Sequence, residues 1–144
     1  MAETSILQPS VVLILWSMLM LAWLALTRLP AMSRAGIELT VIVGGRGSDI
    51  ETLVPERVNW VSHNYTHLME QPTLFYATSL ILAFLGAGTE LNIGLAWAYV
   101  GLRIAHSLVQ ALWNRVVVRF ALFLVSTAVL LVLAANMARV IFGL

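Results

Sequence analysis

Three histidines, a glutamate and an arginine stand at helical spacings inside stretches that are otherwise apolar. One set is Trp60, His63, Asn64, His67, Glu70 and Gln71. The other is Tyr99, Arg103, His106, Ser107, Gln110 and Asn114. Residues three and four apart share a helix face, so each set forms one polar stripe. The chemistry on offer is proton transfer by imidazole, ammonium or proton binding by a carboxylate, and anion binding by a guanidinium. Cysteine is absent, so the chain has no disulfide framework, no thiolate ligand and no cysteine nucleophile. Any thiol chemistry needs a thiol carried in by a small molecule. Ionisable groups inside a bilayer are costly and face a bundle interior or a water-filled cavity. The two stripes are therefore where function is expected.

The elements that must hold these stripes are membrane helices. The chain has 144 residues, of which 60% are hydrophobic and only 10% charged, with a mean hydropathy of +0.92. That lies well outside the range of a soluble domain. The length suits one domain with four crossings of about 20 residues each. The expected spans are 9–27, 55–85, 91–113 and 116–142. Short connections make neighbouring helices antiparallel, so the fold class is an all-α membrane protein with a four-helix up-down bundle. A net charge of +1 argues against nucleic acid as a partner.

No basic residue precedes the first apolar run, so that run is expected to stay as span one rather than to be removed as a signal peptide. Arg28 and Pro30 mark its end, although a helix can continue past Pro30 with a kink. The connection 30–54 is long for a compact bundle and is expected to hold a short strand or an interfacial helix, and to cover the mouth of the site. Its Gly44, Gly45 and Gly47 lack the Gly-Lys-Ser/Thr of a phosphate loop and read as a plain turn. Arg28, Arg34, Arg46, Arg57, Arg115 and Arg119 fall on the side of the first and third connections, whereas Arg139 lies near the opposite side. Positive residues remain in the cytoplasm, so both termini are expected to face outward. Both stripes then open toward the cytoplasm.

Glu70 lies roughly 20 Å along its helix from Arg57, and Arg103 roughly 18 Å from Arg115 on the antiparallel partner, at about 1.5 Å per residue. Equal depth leads to the expectation that Glu70 and Arg103 pair, with His67 or His106 alongside. A metal is the competing use of these residues, since His63 and His67 have the spacing of a zinc-binding helix, with Glu70 or His106 to complete the set. His-Asn-Tyr-Thr-His also resembles one box of the membrane fatty-acid hydroxylases, but three histidines are too few for a di-metal centre. Hydrogen-bonded histidines and no metal are expected.

The run Pro-Glu-Arg-Val-Asn-Trp-Val-Ser-His-Asn-Tyr-Thr-His-Leu-Met-Glu-Gln-Pro-Thr-Leu-Phe-Tyr-Ala, from Pro55, resembles the second-helix signature of the MAPEG family, the membrane-associated proteins in eicosanoid and glutathione metabolism. The run Ala-Tyr-Val-Gly-Leu-Arg-Ile-Ala-His-Ser-Leu-Val-Gln is similar to its third helix. The resemblance covers about Pro55 to the C-terminus, and Glu-x-Pro-x-Leu-Phe-Tyr looks like bacterial members, which implies a bacterial inner membrane. It implies a homotrimer with glutathione as co-substrate, bound between subunits near the cytoplasmic side. Helices one and two of one subunit and helices three and four of another would frame the site. By spacing from Arg103, Arg115 matches the arginine that helps form the thiolate, and Asn64 matches the helix-two asparagine. A guanidinium favours a thiolate over a thiol. Arg57, Asn64, His67, Glu70 and Arg103 are the implied binding residues.

The chain also departs from the glutathione-using pattern. Trp60 stands where an arginine is expected, His67 where a glutamate is, and Ile104 and Leu108 where two tyrosines are. Two readings follow. One is a glutathione-dependent transferase or peroxidase acting on lipophilic electrophiles. The other is a non-catalytic membrane subunit that binds a lipid, a quinone or a partner membrane protein. A small transporter is disfavoured by the lack of inverted repeats.

The arginine asymmetry yields the first prediction. A reporter fused at Leu144 is expected to work only if it matures outside the cytoplasm, and activity of a cytoplasm-only reporter there overturns the orientation.

Overall fold

The computed structural model describes residues 2–38 and 40–144 and is all-helical. A short α1 (Ala2–Ser5) precedes α2 (Gln8–Arg34), α3 (Glu56–Glu70), α4 (Pro72–Phe84), α5 (Glu90–Leu112) and α6 (Val116–Phe142). Two of these, α2 and α6, are long and apolar enough to cross a membrane, with mean hydropathies of 2.2 and 2.6. The polar stripe lowers the hydropathy of α5, and α3 and α4 are each short because the second apolar stretch is broken at Pro72.

Local chemistry accounts for the breaks. Pro9 occupies the first turn of α2, where a missing N–H costs nothing. Helix α2 continues through Pro30 to Arg34. Pro72 splits what the sequence presents as one second span: α3 ends at Glu70 and α4 starts at Pro72. Gly86 has φ 65° just after α4, a left-handed value that glycine adopts freely. Thr89 caps α5 by accepting a hydrogen bond from the backbone N–H of Asn92 at 3.2 Å.

Helix α5 is the centre of the bundle and touches α2, α3 and α6, while α3 also packs on α2 and α4 on α6. The core includes Leu13, Met20, Leu68, Phe75, Leu82, Tyr99, Val100 and Leu133. Phe75 stacks on Tyr99 with ring centroids 4.5 Å apart. At the end of the bundle that carries Arg139, Asn136 donates to Asn92 Oδ1 at 2.8 Å, joining α6 to α5.

The first connection differs from the expected strand or interfacial helix. Among the described residues it holds no strand, only a 3-10 turn, Gly47–Ile50; Leu39 lies outside the described residues. Gly44 and Gly45 have φ of 74° and 94°, so the glycine run is a turn, as expected. A small cluster of Ala31, Met32 and Val54, with Ile37, Ile50 and Val58 against it, holds this segment onto the ends of α2 and α3.

Phe75 is fully buried, whereas Phe84 on the same helix is 90% exposed. Phe75→Ala is expected to lower the stability of the purified protein by about 3–5 kcal/mol, and Phe84→Ala to change it little. Equal losses in denaturant or thermal melting show that α4 does not face the core through Phe75.

Candidate functional site

The two stripes meet different surroundings. On α5, Tyr99, Arg103, His106, Ser107 and Gln110 are all buried, and Asn114 is half-buried. On α3, Asn64 is buried, Trp60, His67 and Gln71 are half-buried, and His63 and Glu70 are exposed. The second stripe is thus interior to one chain. The first straddles the interior and an open cavity.

Arg103 is 1% exposed. Its Nη2 donates to the carbonyl oxygen of His67 at 2.8 Å and lies 3.2 Å from His67 Nδ1. The carbonyl of His67 lies in the last turn of α3, where helix carbonyls are open to a side-chain donor. Thr73 Oγ1 takes another, that of Glu70, at 2.7 Å. The expected pair of Glu70 and Arg103 is not formed. Glu70 is exposed at the end of α3, and His67, one turn earlier, reaches the guanidinium first. Arg103 Nε and Nη1, His106 Nδ1, Gln110 Oε1 and Asn64 Nδ2 are buried without a hydrogen-bond partner among the described residues.

Around this centre the polar groups are cross-linked. The His67 and His106 rings lie 4.6 Å apart, and His67 meets the edge of Phe123 at 5.5 Å. Tyr99 donates to Gln71 Oε1 at 3.2 Å, and Gln71 donates to Thr127 Oγ1 at 2.7 Å. Trp16 of α2 donates to Ser107 at 3.1 Å.

Two cavities flank His67 and share it and Gln110 as lining. The larger, about 390 Å³, is lined by Ser62, His63, Thr66 and Glu70 of α3 and by Gly47, Ser48 and Glu51 of the first connection. The smaller, about 190 Å³, is lined by His106, Val116, Arg119, Phe120 and Phe123. The connection is fastened at the larger cavity. Arg28 donates to Gly47 O and Ser62 Oγ. Asn59 Nδ2 donates to Glu51 O at 2.8 Å. His63 Nε2 lies 2.8 Å from Glu51 Oε1, the one ion pair among the described residues. His63 thus turns to Glu51 and His67 to Arg103. Among the described residues no three His, Cys, Asp or Glu side chains are placed to hold a metal ion.

His67 and Glu70 line the larger cavity, with Arg103 and Asn64 buried nearby on the same helices. Arg57 and Arg115 line neither cavity. Arg57 is exposed beside Trp23 and Trp60. Arg115 is exposed at the start of α6, with its guanidinium 5.6 Å from the Trp113 ring centre. Arg119, one turn further into α6, lines the smaller cavity and donates to Asn114 Oδ1. Sequence reasoning used Arg119 only for orientation and passed over Glu51, Ser62 and Thr127. A signal for Arg119 was present: it is the one charge in the apolar run from Val116 to Ala138.

Among the described residues Arg103 is buried with no carboxylate in an ion pair with it, a costly arrangement. Arg103→Met is therefore expected to raise the melting temperature of the purified protein or leave it unchanged. In a double-mutant cycle, Glu70→Gln and Arg103→Met are expected to add within about 0.5 kcal/mol. A large coupling shows instead that the two residues meet, as they would if a neighbouring chain supplied the carboxylate.

Among known proteins, no curated protein and no solved structure matches this chain. A family model described as the MAPEG family matches residues 6–139. That match spans nearly the whole sequence and agrees with the apolar helices α2 and α6: the chain belongs to the MAPEG family and is a membrane protein.

Proposed function

We propose that the paired cavities bind a zwitterionic thiol of the glutathione class and present its thiolate to lipophilic electrophiles, in a transferase or peroxidase reaction. The observation that carries this reading is the polarity of the site. Its larger end has the carboxylates Glu70 and Glu51, and its smaller end has the guanidinium of Arg119, with His67 and Gln110 common to both. An α-ammonium suits the first end and a thiolate or carboxylate the second. Phe120 and Phe123 form the apolar wall beside Arg119, where a lipid-soluble substrate would lie.

In a transfer reaction the thiolate sulfur attacks an electrophilic carbon, a carbon–sulfur bond forms, and the leaving group departs with its electron pair. Arg119 holds the sulfur as the anion. Arg115 stands one turn earlier, next to Val116 on the cavity wall, and draws the anion in from the surface. Glu70 holds the peptide, Asn64 lies buried behind the cavity wall on the same helix, and Arg103 keeps His67 in place.

The proposed assembly is a homotrimer in a bacterial inner membrane, multi-pass, with both termini outward. The exposed His63 and Glu70 leave the larger cavity open on one side, where a neighbouring chain would close it. A second reading, a non-catalytic subunit that binds a lipid, a quinone or a partner membrane protein, is favoured by Ile104 and Leu108 at the places of the two tyrosines and by Arg57 lying outside the cavities.

Calorimetric titration of the detergent-purified protein with glutathione tests both. Binding is expected, weakened about tenfold or more by Arg119→Gln, the loss of one charge-assisted hydrogen bond, and less by Arg115→Gln. No heat and no thermal shift at millimolar glutathione overturns the thiol site. Binding without conjugation of an activated aryl halide selects the non-catalytic reading.

A further inference from the structure

A second pair of cavities lies on another side of the bundle. The first, about 250 Å³, is bounded by Trp23, Trp60, Arg57 and Leu112, among others. The second, about 360 Å³, is bounded by Leu26, Pro30, Ala31 and Arg34, among others. Thr27 and Val58 line both, so the two form one groove along the end of α2, against α3 and the last turn of α5. Neither cavity shares a residue with the paired cavities of the proposed thiol site.

The groove has a polar and an apolar component. Arg34 and Arg57 are exposed, and neither makes an ion pair or side-chain hydrogen bond among the described residues. Leu26 is 77% exposed and Leu112 62%. Two indoles, Trp23 and Trp60, line the same cavity as Arg57 and Leu112. Tryptophan concentrates where headgroups meet acyl chains, and basic pockets between membrane helices bind anionic headgroups. Free phosphate would satisfy the arginines but leave the leucines and indoles uncovered.

We infer that this groove is a site for an anionic phospholipid, with its phosphate between Arg34 and Arg57 and its acyl chains against Leu26 and Leu112. The proposal explains why Arg57, assigned to the thiol by resemblance, stands apart from the thiol cavities. It does not depend on that function.

The indoles supply the readout. The protein is placed in nanodiscs of phosphatidylcholine doped with brominated phosphatidylglycerol or brominated phosphatidylcholine, and tryptophan quenching is followed against mole fraction. Half-maximal quenching is expected at a several-fold lower fraction of the anionic lipid. Arg34→Gln or Arg57→Gln is expected to weaken the preference about fivefold each, from the usual strength of one surface cation near an anionic leaflet. Arg34→Lys is expected to retain it. Arg46→Gln, on the first connection outside the groove, controls for a loss of general positive charge and is expected to leave the preference unchanged. Trp23→Phe with Trp60→Phe is expected to remove the anionic-selective quenching while the other tryptophans still report contact with both lipids. Equal quenching by the two lipids overturns the site. So does an anionic preference that survives Arg34→Gln with Arg57→Gln, or one that inorganic phosphate abolishes, which marks a site for soluble anions. Dissociation of the oligomer by these substitutions, with no lipid preference beforehand, shows that the groove is covered by a second copy of the chain and also overturns it.

Discussion

A guanidinium buried between apolar helices has to be answered, and here the last turn of α3 answers it. Arg103 donates to the carbonyl of His67, in the last turn of α3 before Pro72. The His67 ring lies against the same guanidinium, so this contact ties the end of α3 to the middle of α5. Beside it lie the His67–His106 approach and the smaller cavity. The arrangement is under-satisfied by design of its chemistry: a cation with unused donors inside the bundle is an expensive feature, and such features in membrane proteins mark function.

The two polar ends of the cavity are contributed by parts of the chain far apart in sequence. Glu70 comes from α3, Glu51 from the first connection and Arg119 from α6. The connection brings Glu51 to its place through backbone and side-chain fastening at once, with Arg28 of α2 gripping Gly47 and Ser62 together. A long loop between tight turns is thereby made part of the cavity wall rather than a spacer.

Much of this was legible in the sequence and some was not. Periodicity placed Tyr99, Arg103, His106, Ser107 and Gln110 on one face of α5, because a stripe of polar residues in an apolar run has one inexpensive place to go. The family was legible from the second and third helices. The partner of Arg103 was not. Depth arithmetic treats side chains as points on a rod and cannot tell an exposed Glu70 from a His67 whose own carbonyl is free. The role of Arg119 was hidden by proximity to Arg115: both are arginines at the start of α6, and a one-turn difference decides which enters the cavity. The shape of the first connection was also out of reach, since it rests on the Ala31, Met32 and Val54 cluster and on contacts to α3.

Gln71 sits at the α3–α4 break, accepts from Tyr99 on α5 and donates to Thr127 on α6, which in turn donates to the carbonyl of Phe123 at 2.7 Å. A side-chain amide is among the few groups that give and take at opposite ends, so this chain of bonds has a fixed direction and ends on backbone. Glutamate at position 71 would lose the giving half, and leucine both halves. A glutamate there needs the Thr127 hydroxyl to turn from the Phe123 carbonyl and donate to it, and a leucine leaves both neighbours without their partner. In a bundle this hydrophobic, where one aliphatic side chain packs much like another, the amide is a position that no other side chain fills without the loss or reversal of a bond.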